Sequence, residues 1–209
     1  MLDRCAGGGC ACQSRLERRL RKHAPGQGTA CRRFFFQNAY LELLWVHDPV
    51  EAQNVAVRPT RLWERWSRRQ EDACPFGIVL RPSRDAVAMN PPFATRPYTP
   101  SYLPSGFSIE IATNTALTEP EFFYVGFQRG RPRDGQEPLR HQIPVTNITD
   151  VTIGTPSAAP RSEAARATAA MGWLSFEQSD DYVLRLTFDR AIRRKRADCR
   201  PELPVVLQW

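Results

Sequence analysis

The chain has 209 residues, of which 42% are hydrophobic and 24% charged, with a formal net charge of +7. This composition predicts a globular protein with a sizeable core and excludes the fibrous and intrinsically disordered classes. No apolar run approaches the roughly 18 residues of a membrane span, and the first residues lack the apolar segment of a secretion signal, so we expect a cytoplasmic protein without membrane contact.

Residues 1–12 contain three consecutive glycines and are predicted to be a poorly structured lead-in. Four cysteines and a histidine near this end invite a zinc interpretation: Cys5, Cys10, Cys12, His23 and Cys31. Their spacing matches no standard zinc finger or ribbon, and free thiols are therefore the prediction.

The next elements alternate between helix and strand. Residues 13–22 carry two leucines four positions apart, which predicts a short amphipathic helix. Residues 31–46 read as two strands with a tight turn near Asn38, which predicts a β-hairpin. Thr60 can cap a helix over residues 61–71, where leucine and two tryptophans recur at helical spacing.

The middle of the chain is rich in proline and glycine. Residues 76–80 are predicted to be a buried strand, and residues 83–105 an extended connection without helix or strand. Residues 107–111 alternate as in a strand with one apolar face. Residues 118–121 have the signature of a capping box, but the aromatic run that follows them fits a strand equally well. The loop over residues 129–142 is the best candidate for a module boundary.

The last third gives clearer patterns. A strand over residues 148–153 precedes an alanine-rich helix over 162–171. Residues 174–178 and 182–188 are predicted to pair as a hairpin, and residues 203–209 to form a closing strand. The order strand, helix, strand, strand predicts an α+β fold with helices on the outer face of curved, mixed sheets.

Glu42 is the most informative single residue, because both faces of the strand around it are apolar. A carboxylate in such a strand must pair, take up a proton or bind a metal. We expect it to be largely buried and within reach of Arg32 or Arg33 on the neighbouring strand, or of Glu110. If the pair with arginine is structural, Glu42→Gln should destabilise the fold by roughly 3 kcal/mol.

Residues 13–82, together with residues 148–188, resemble the glyoxalase-like branch of the vicinal oxygen chelate superfamily. The resemblance rests on the segment His-Ala-Pro-Gly-Gln-Gly-Thr-Ala-Cys-Arg, on Tyr-Leu-Glu-Leu-Leu-Trp-Val and on Cys-Pro-Phe-Gly-Ile-Val-Leu-Arg-Pro. It implies paired βαβββ modules around a cupped mixed sheet. Residues 13–142 would form one module with a proline-rich insertion (83–105), and residues 143–209 a second βαββ module.

The resemblance also implies roles for individual residues. Glu42 stands where metal-dependent members supply a carboxylate ligand, whereas the histidine of their first strand is replaced by Arg4. Glu42 and Glu110 alone make an incomplete site, suited to Mg²⁺ or Mn²⁺ if to any metal. In a catalytic version Glu42 is the metal ligand or general base and His23 an auxiliary proton-transfer group. The expected substrate-binding residues are Arg32, Arg33, Tyr40 and Glu110.

The function implied is binding, with possible transformation, of a small organic molecule in a concave β-sheet pocket. If it is an enzyme, its type would be lyase, isomerase or dioxygenase; the first alternative is a metal-free protein that binds or sequesters small molecules. A second alternative is nucleic-acid binding through the basic cluster at residues 190–200, which no nucleic-acid-binding motif accompanies. A homodimer stays open.

Overall fold

Three β-sheets and three short α-helices make up the part of the chain that the structure describes. The computed structural model describes residues 16, 26–83, 85, 90–127 and 139–209, together with the backbone of 22–24. The strands are β1 (Lys22–Ala24), β2 (Thr29–Phe35), β3 (Tyr40–Val46), β4 (Gly77–Leu80), β5 (Thr95–Tyr98), β6 (Ile109–Ala112), β7 (Glu121–Tyr124), β8 (Ile148–Thr155), β9 (Leu174–Gln178), β10 (Val183–Phe188), β11 (Arg196–Asp198) and β12 (Val205–Gln208). The helices are α1 (Pro49–Ala52), α2 (Leu62–Ser67) and α3 (Glu163–Ala169), with 3₁₀ turns at Arg58–Thr60 and Asp189–Ala191.

The first sheet has the order β1-β2-β3, and all of its pairs are antiparallel. The hairpin predicted over residues 31–46 is confirmed: β2 and β3 pair along seven residues, with Arg33 directly opposite Glu42. The side chain of Asn38 fixes the turn, because it accepts from the amide of Ile148 at 3.0 Å and donates to its carbonyl at 2.6 Å.

The second sheet has the order β4-β7-β6-β5 and corrects two predictions. Strand β5 lies inside the proline-rich segment, where no strand was expected. Pro97 is tolerated there because β5 is an edge strand, so the missing N–H of proline leaves no pair unmade. Strand β4 was expected to be buried, but it is the opposite edge strand, and Val79 is 46% exposed.

The third sheet has the order β11-β12-β10-β8-β9. The hairpin predicted between residues 174–178 and 182–188 is wrong. After α3 the chain forms β9 parallel to β8 on one side, and then crosses to form β10 antiparallel to β8 on the other. Both strands pair with the longer β8 instead of with each other, which gives a β-α-β unit followed by a return strand.

The helices follow their predicted positions more closely than their predicted lengths. Helix α3 is confirmed, with the Ser162 hydroxyl accepting from the amide of Ala165 at 3.3 Å. Helix α2 is shorter than predicted, and its N-cap is not Thr60. The Thr60 hydroxyl nevertheless accepts from the amide of Leu62, the first helical residue, at 3.3 Å and donates to the carbonyl of Val57. Arg61 takes the N-cap position in a left-handed conformation (φ 52°), which sets where the helix begins.

One apolar core joins all three sheets. Its fully buried members include Phe34, Phe36, Phe122, Ile153, Phe188 and Leu207. The fold is therefore α+β with a predominance of β-structure. The predictions for residues 1–12, for most of 13–22 and for most of the loop over 129–142 lie outside the described residues; of the predicted first helix, Leu16 is buried in the core and Lys22 begins β1. Within the described part of the chain, no helix is long and apolar enough to cross a membrane.

Candidate functional site

A cleft of about 1470 Å³ is lined by strands from all three sheets. Strands β3, β4, β7, β8, β10 and β12 contribute residues to its lining, and helix α2 contributes further ones. Most of the lining is apolar, with a few polar side chains interspersed. A concave site of this kind is the usual location of small-molecule binding in proteins, and this one is larger than a drug-sized ligand requires.

Glu42 lines this cleft, and its carboxylate forms an ion pair with Arg33 (Nε–Oε2 2.5 Å). The predicted arginine partner is thus confirmed for Arg33, and it follows from the β2–β3 register. The side chain of Glu42 is 23% exposed and that of Arg33 35% exposed, so the pair is half-buried where Glu42 was expected to be largely buried. The cleft leaves the carboxylate open to solvent on one side.

Tyr40 also lines the cleft, two residues before Glu42 and on the same face of β3. Burial raises the pKa of the Tyr40 phenol. The guanidinium of Arg33 lies over its ring at 5.3 Å from the centroid, and Arg81 hydrogen-bonds its hydroxyl. Burial lowers the pKa of Arg81, which the Tyr40 hydroxyl partly offsets. This corner of the cleft therefore combines two arginines, a phenol and one carboxylate.

The other residues predicted from sequence are not brought into this corner. Arg32 is on the opposite face of the hairpin, with its guanidinium 5.8 Å from the ring centroid of Trp45. Glu110 does not line the cleft; its carboxylate accepts from Thr95 at 2.9 Å and from Ser108 at 2.7 Å. The side chain of His23 lies outside the described residues.

The donor set does not fit a divalent metal. Among the described residues, no group of three or more His, Cys, Asp or Glu side chains is placed to hold one. Glu42 is engaged by a guanidinium, which repels a cation, and Glu110 is engaged by two hydroxyls. Glu42 and Glu110 therefore do not form the shared metal site that the resemblance implied.

Sequence reasoning missed a buried charge cluster at the α2 end of the cleft. Oε2 of Glu121, a residue only 2% exposed, is 2.6 Å from Nη2 of Arg61 and 3.1 Å from Nη2 of Arg65. Arg65 also donates to the carbonyls of Cys74 at 3.1 Å and Glu119 at 2.6 Å. The cluster ties α2 to β7 and to the loop before it. The four-residue spacing of Arg61, Arg65 and Arg69 was the sequence signal that could have indicated a row of arginines on one side of this helix.

The thiols of Cys31 and Cys74 are free and buried, as predicted for Cys31, and Cys199 is in a disulfide. Burial raises the pKa of Cys31 to about 11 and that of Cys74 to about 12. The folded state therefore holds both protons at pH values where an unfolded thiol, with its ordinary pKa near 9, has lost them.

These thiols predict a loss of stability at alkaline pH. A raised folded-state pKa contributes stability that is complete below the unfolded thiol pKa and is lost as pH rises through the folded value. We expect the free energy of unfolding to fall between about pH 9 and about pH 12, as pH rises from the unfolded pKa through the two folded values. The double variant Cys31→Ala/Cys74→Ala should show a shallower fall in urea titrations at each pH. Identical pH profiles for the two proteins would contradict this origin.

The half-buried Arg33–Glu42 pair predicts a modest cost for its removal. Glu42→Gln should lower the free energy of unfolding by about 1 kcal/mol, less than the roughly 3 kcal/mol of a fully buried pair, because water screens both charges. A double-mutant cycle with Arg33→Gln, measured by urea unfolding, should give a coupling of the same size. A coupling near zero, or one above about 3 kcal/mol, would contradict the described geometry.

The basic cluster at residues 190–200 is partly neutralised. Asp198 pairs with Arg200 at 2.6 Å and with Arg196 at 3.2 Å, and the hydrogen bond from Arg200 is the main reason that the pKa of Asp198 lies well below its usual range. Arg190 faces the cleft. Arg193, Arg194 and Lys195 of the same cluster are exposed, so nucleic-acid binding through this cluster stays a prediction.

Comparison with protein-family models, with curated proteins and with solved structures finds no match to this chain.

Proposed function

We propose that the protein is a glyoxalase-like member of the vicinal oxygen chelate superfamily that binds a small organic molecule in the cleft. The observation that carries the proposal is the cleft itself, a mostly apolar space of about 1470 Å³ between the sheets. A protein with a large apolar surface around one concavity is stabilised by a ligand that covers this surface.

Two further features support the superfamily assignment. The strand that carries the glyoxalase-like motif turns Tyr40 and Glu42 toward the cleft, and the β-α-β unit of β8, α3 and β9 matches the beginning of the second proposed module. The paired βαβββ arrangement as a whole, and the boundaries at residues 142 and 143, are part of the proposal.

The state of Glu42 favours binding over transformation. A general base needs an accessible carboxylate lone pair directed at substrate. Here Arg33 occupies one carboxylate oxygen, Oε2, so a base function of Glu42 would fall to Oε1 alone. We therefore propose a binding protein. Lyase, isomerase or dioxygenase activity would have to be demonstrated by turnover of a substrate.

The proposal can be tested by filling the cleft. Val79 lines it and is 46% exposed, whereas Val55 is 68% exposed on a turn that does not line it. In isothermal titration with the neutral aromatic probe 1-naphthaleneacetamide, we expect saturable binding at one site. Val79→Trp should weaken that binding by about tenfold or more, because the indole takes up ligand volume.

The matched variant Val55→Trp should leave the affinity unchanged, and both variants should melt close to the parent protein. A parent protein that binds neither this amide nor the matching carboxylate 1-naphthaleneacetate, or binding that is indifferent to Val79→Trp, would contradict the proposal.

A further inference from the structure

A row of three arginines runs along helix α2, and the last two of them line the cleft. Arg61, Arg65 and Arg69 follow one another at intervals of four residues and so share one side of the helix and its extension. The carboxylate of Glu121 pairs with the first two. Arg69 has no carboxylate partner among the described residues. The row therefore carries three positive charges against one negative charge.

The guanidinium of Arg69 is held in place, but not all of its hydrogen-bond donors have acceptors. Its guanidinium stacks on the ring of Trp66, 4.1 Å from the centroid, and its Nη1 donates to the Trp66 carbonyl at 2.5 Å. Its Nε is buried and has no hydrogen-bond partner within the described residues. A buried donor without an acceptor costs free energy, and a carboxylate that reaches Nε and the neighbouring Nη2 together would remove this cost by binding the guanidinium bidentately.

Both Arg69 and Trp66 line the cleft, where Phe76, Phe123 and Trp173 provide aromatic surface. Glu121 lines it as well, and its Oε1 also has no partner among the described residues. Its charge is more than balanced by Arg61 and Arg65, so it does not exclude an anion from the neighbourhood of Arg69.

We propose, on the basis of the proposed function, that the ligand of the cleft is a small molecule with an aromatic or other apolar body and one carboxylate group, which binds Arg69. This assigns the anion-binding role to Arg69 in place of Arg32 and Arg33. Arg33 is committed to Glu42, and Arg32 lies on the other face of the hairpin. The stacking on Trp66 pre-organises the guanidinium, which reduces the entropy lost on binding.

The test compares two probes of equal size that differ in charge, 1-naphthaleneacetate and 1-naphthaleneacetamide. In isothermal titration the parent protein should bind the carboxylate about tenfold or more tightly than the amide, since a hydrogen bond to a charged group adds that much. Arg69→Gln should bring this ratio to about one, and Arg69→Lys should leave an intermediate ratio because it keeps the charge without the fork.

The matched control is Arg68→Gln. Arg68 is the neighbouring residue, pairs with Asp72 on the surface and does not line the cleft, so the ratio should stay at the parent value. Melting temperatures establish that each variant is folded. A carboxylate preference that survives in Arg69→Gln, or a parent protein that binds both probes equally, overturns the role of Arg69 and leaves the cleft proposal standing. A parent protein that binds neither probe contradicts both.

Discussion

Replacing Arg65 by methionine is expected to lower the free energy of unfolding by about 4 kcal/mol, the largest effect we predict for a single substitution. Methionine has a similar length and fills the space, but it removes the donor that several buried acceptors share. The carbonyls of Cys74, Leu117 and Glu119 lose their hydrogen bond from Nη1, and Glu121 loses one of its two arginines. Unsatisfied buried acceptors make this a costly deletion.

The neighbouring Arg68 offers the matched control. It is on the exposed side of the helix end and pairs with Glu71 and Asp72 at the surface. Arg68→Met should leave the urea midpoint essentially unchanged, whereas Arg65→Met should move it to much lower urea. Equal midpoints for the two variants would show that the buried cluster does not hold α2 against β7.

Replacing Gly28 by alanine is expected to cost about 3 kcal/mol. Gly28 has a φ of +65°, and a Cβ there would come within 2.5 Å of the Ala52 amide nitrogen and closer still to the Asp48 carbonyl oxygen. The turn cannot move away easily, because the Gly28 amide donates to the Glu51 carboxylate at 2.6 Å. The backbone strain and the steric collision therefore both lower the stability of the variant.

Gly172 separates these two contributions. Its φ is +84°, but nothing lies within 4 Å of where its Cβ would be. Gly172→Ala should therefore show only the cost of a left-handed alanine, about 1 kcal/mol. Thermal or urea unfolding of both variants measures the difference. A Gly28→Ala protein no less stable than Gly172→Ala would contradict the close packing of this turn against α1.

Local sequence patterns predicted those elements whose partners are adjacent in the chain. The β2–β3 hairpin and helix α3 follow from alternation, a tight turn and a serine cap, all of which act within a few residues. The false hairpin of β9 and β10 shows the limit. Two strands joined by a short turn resemble a hairpin in sequence, and only the long-range pairing of both with β8 decides otherwise.

The residues of the candidate site were likewise predictable only where their partners are close in the chain. Alternation on one strand indicated Glu42 and Tyr40, and the register of the hairpin supplied Arg33. The cluster around Glu121 was not predicted, because arginine is spread along the whole chain and a carboxylate 56 residues from Arg65 gives no local signal. Long-range ion pairs of this kind are fixed by topology, which the pattern of a single segment does not contain.

The most direct measurement of the central claim is a map of where a small ligand contacts the protein. In methyl-resolved NMR with 1-naphthaleneacetate, we expect the largest shift changes on the cleft-lining residues Ile78, Val79 and Leu184. The exposed methyls of Val50, Val55 and Ile192, which are outside the cleft, should stay unchanged. Shift changes confined to these outer residues, with the cleft residues unaffected, would contradict the claim that the cleft is the ligand site.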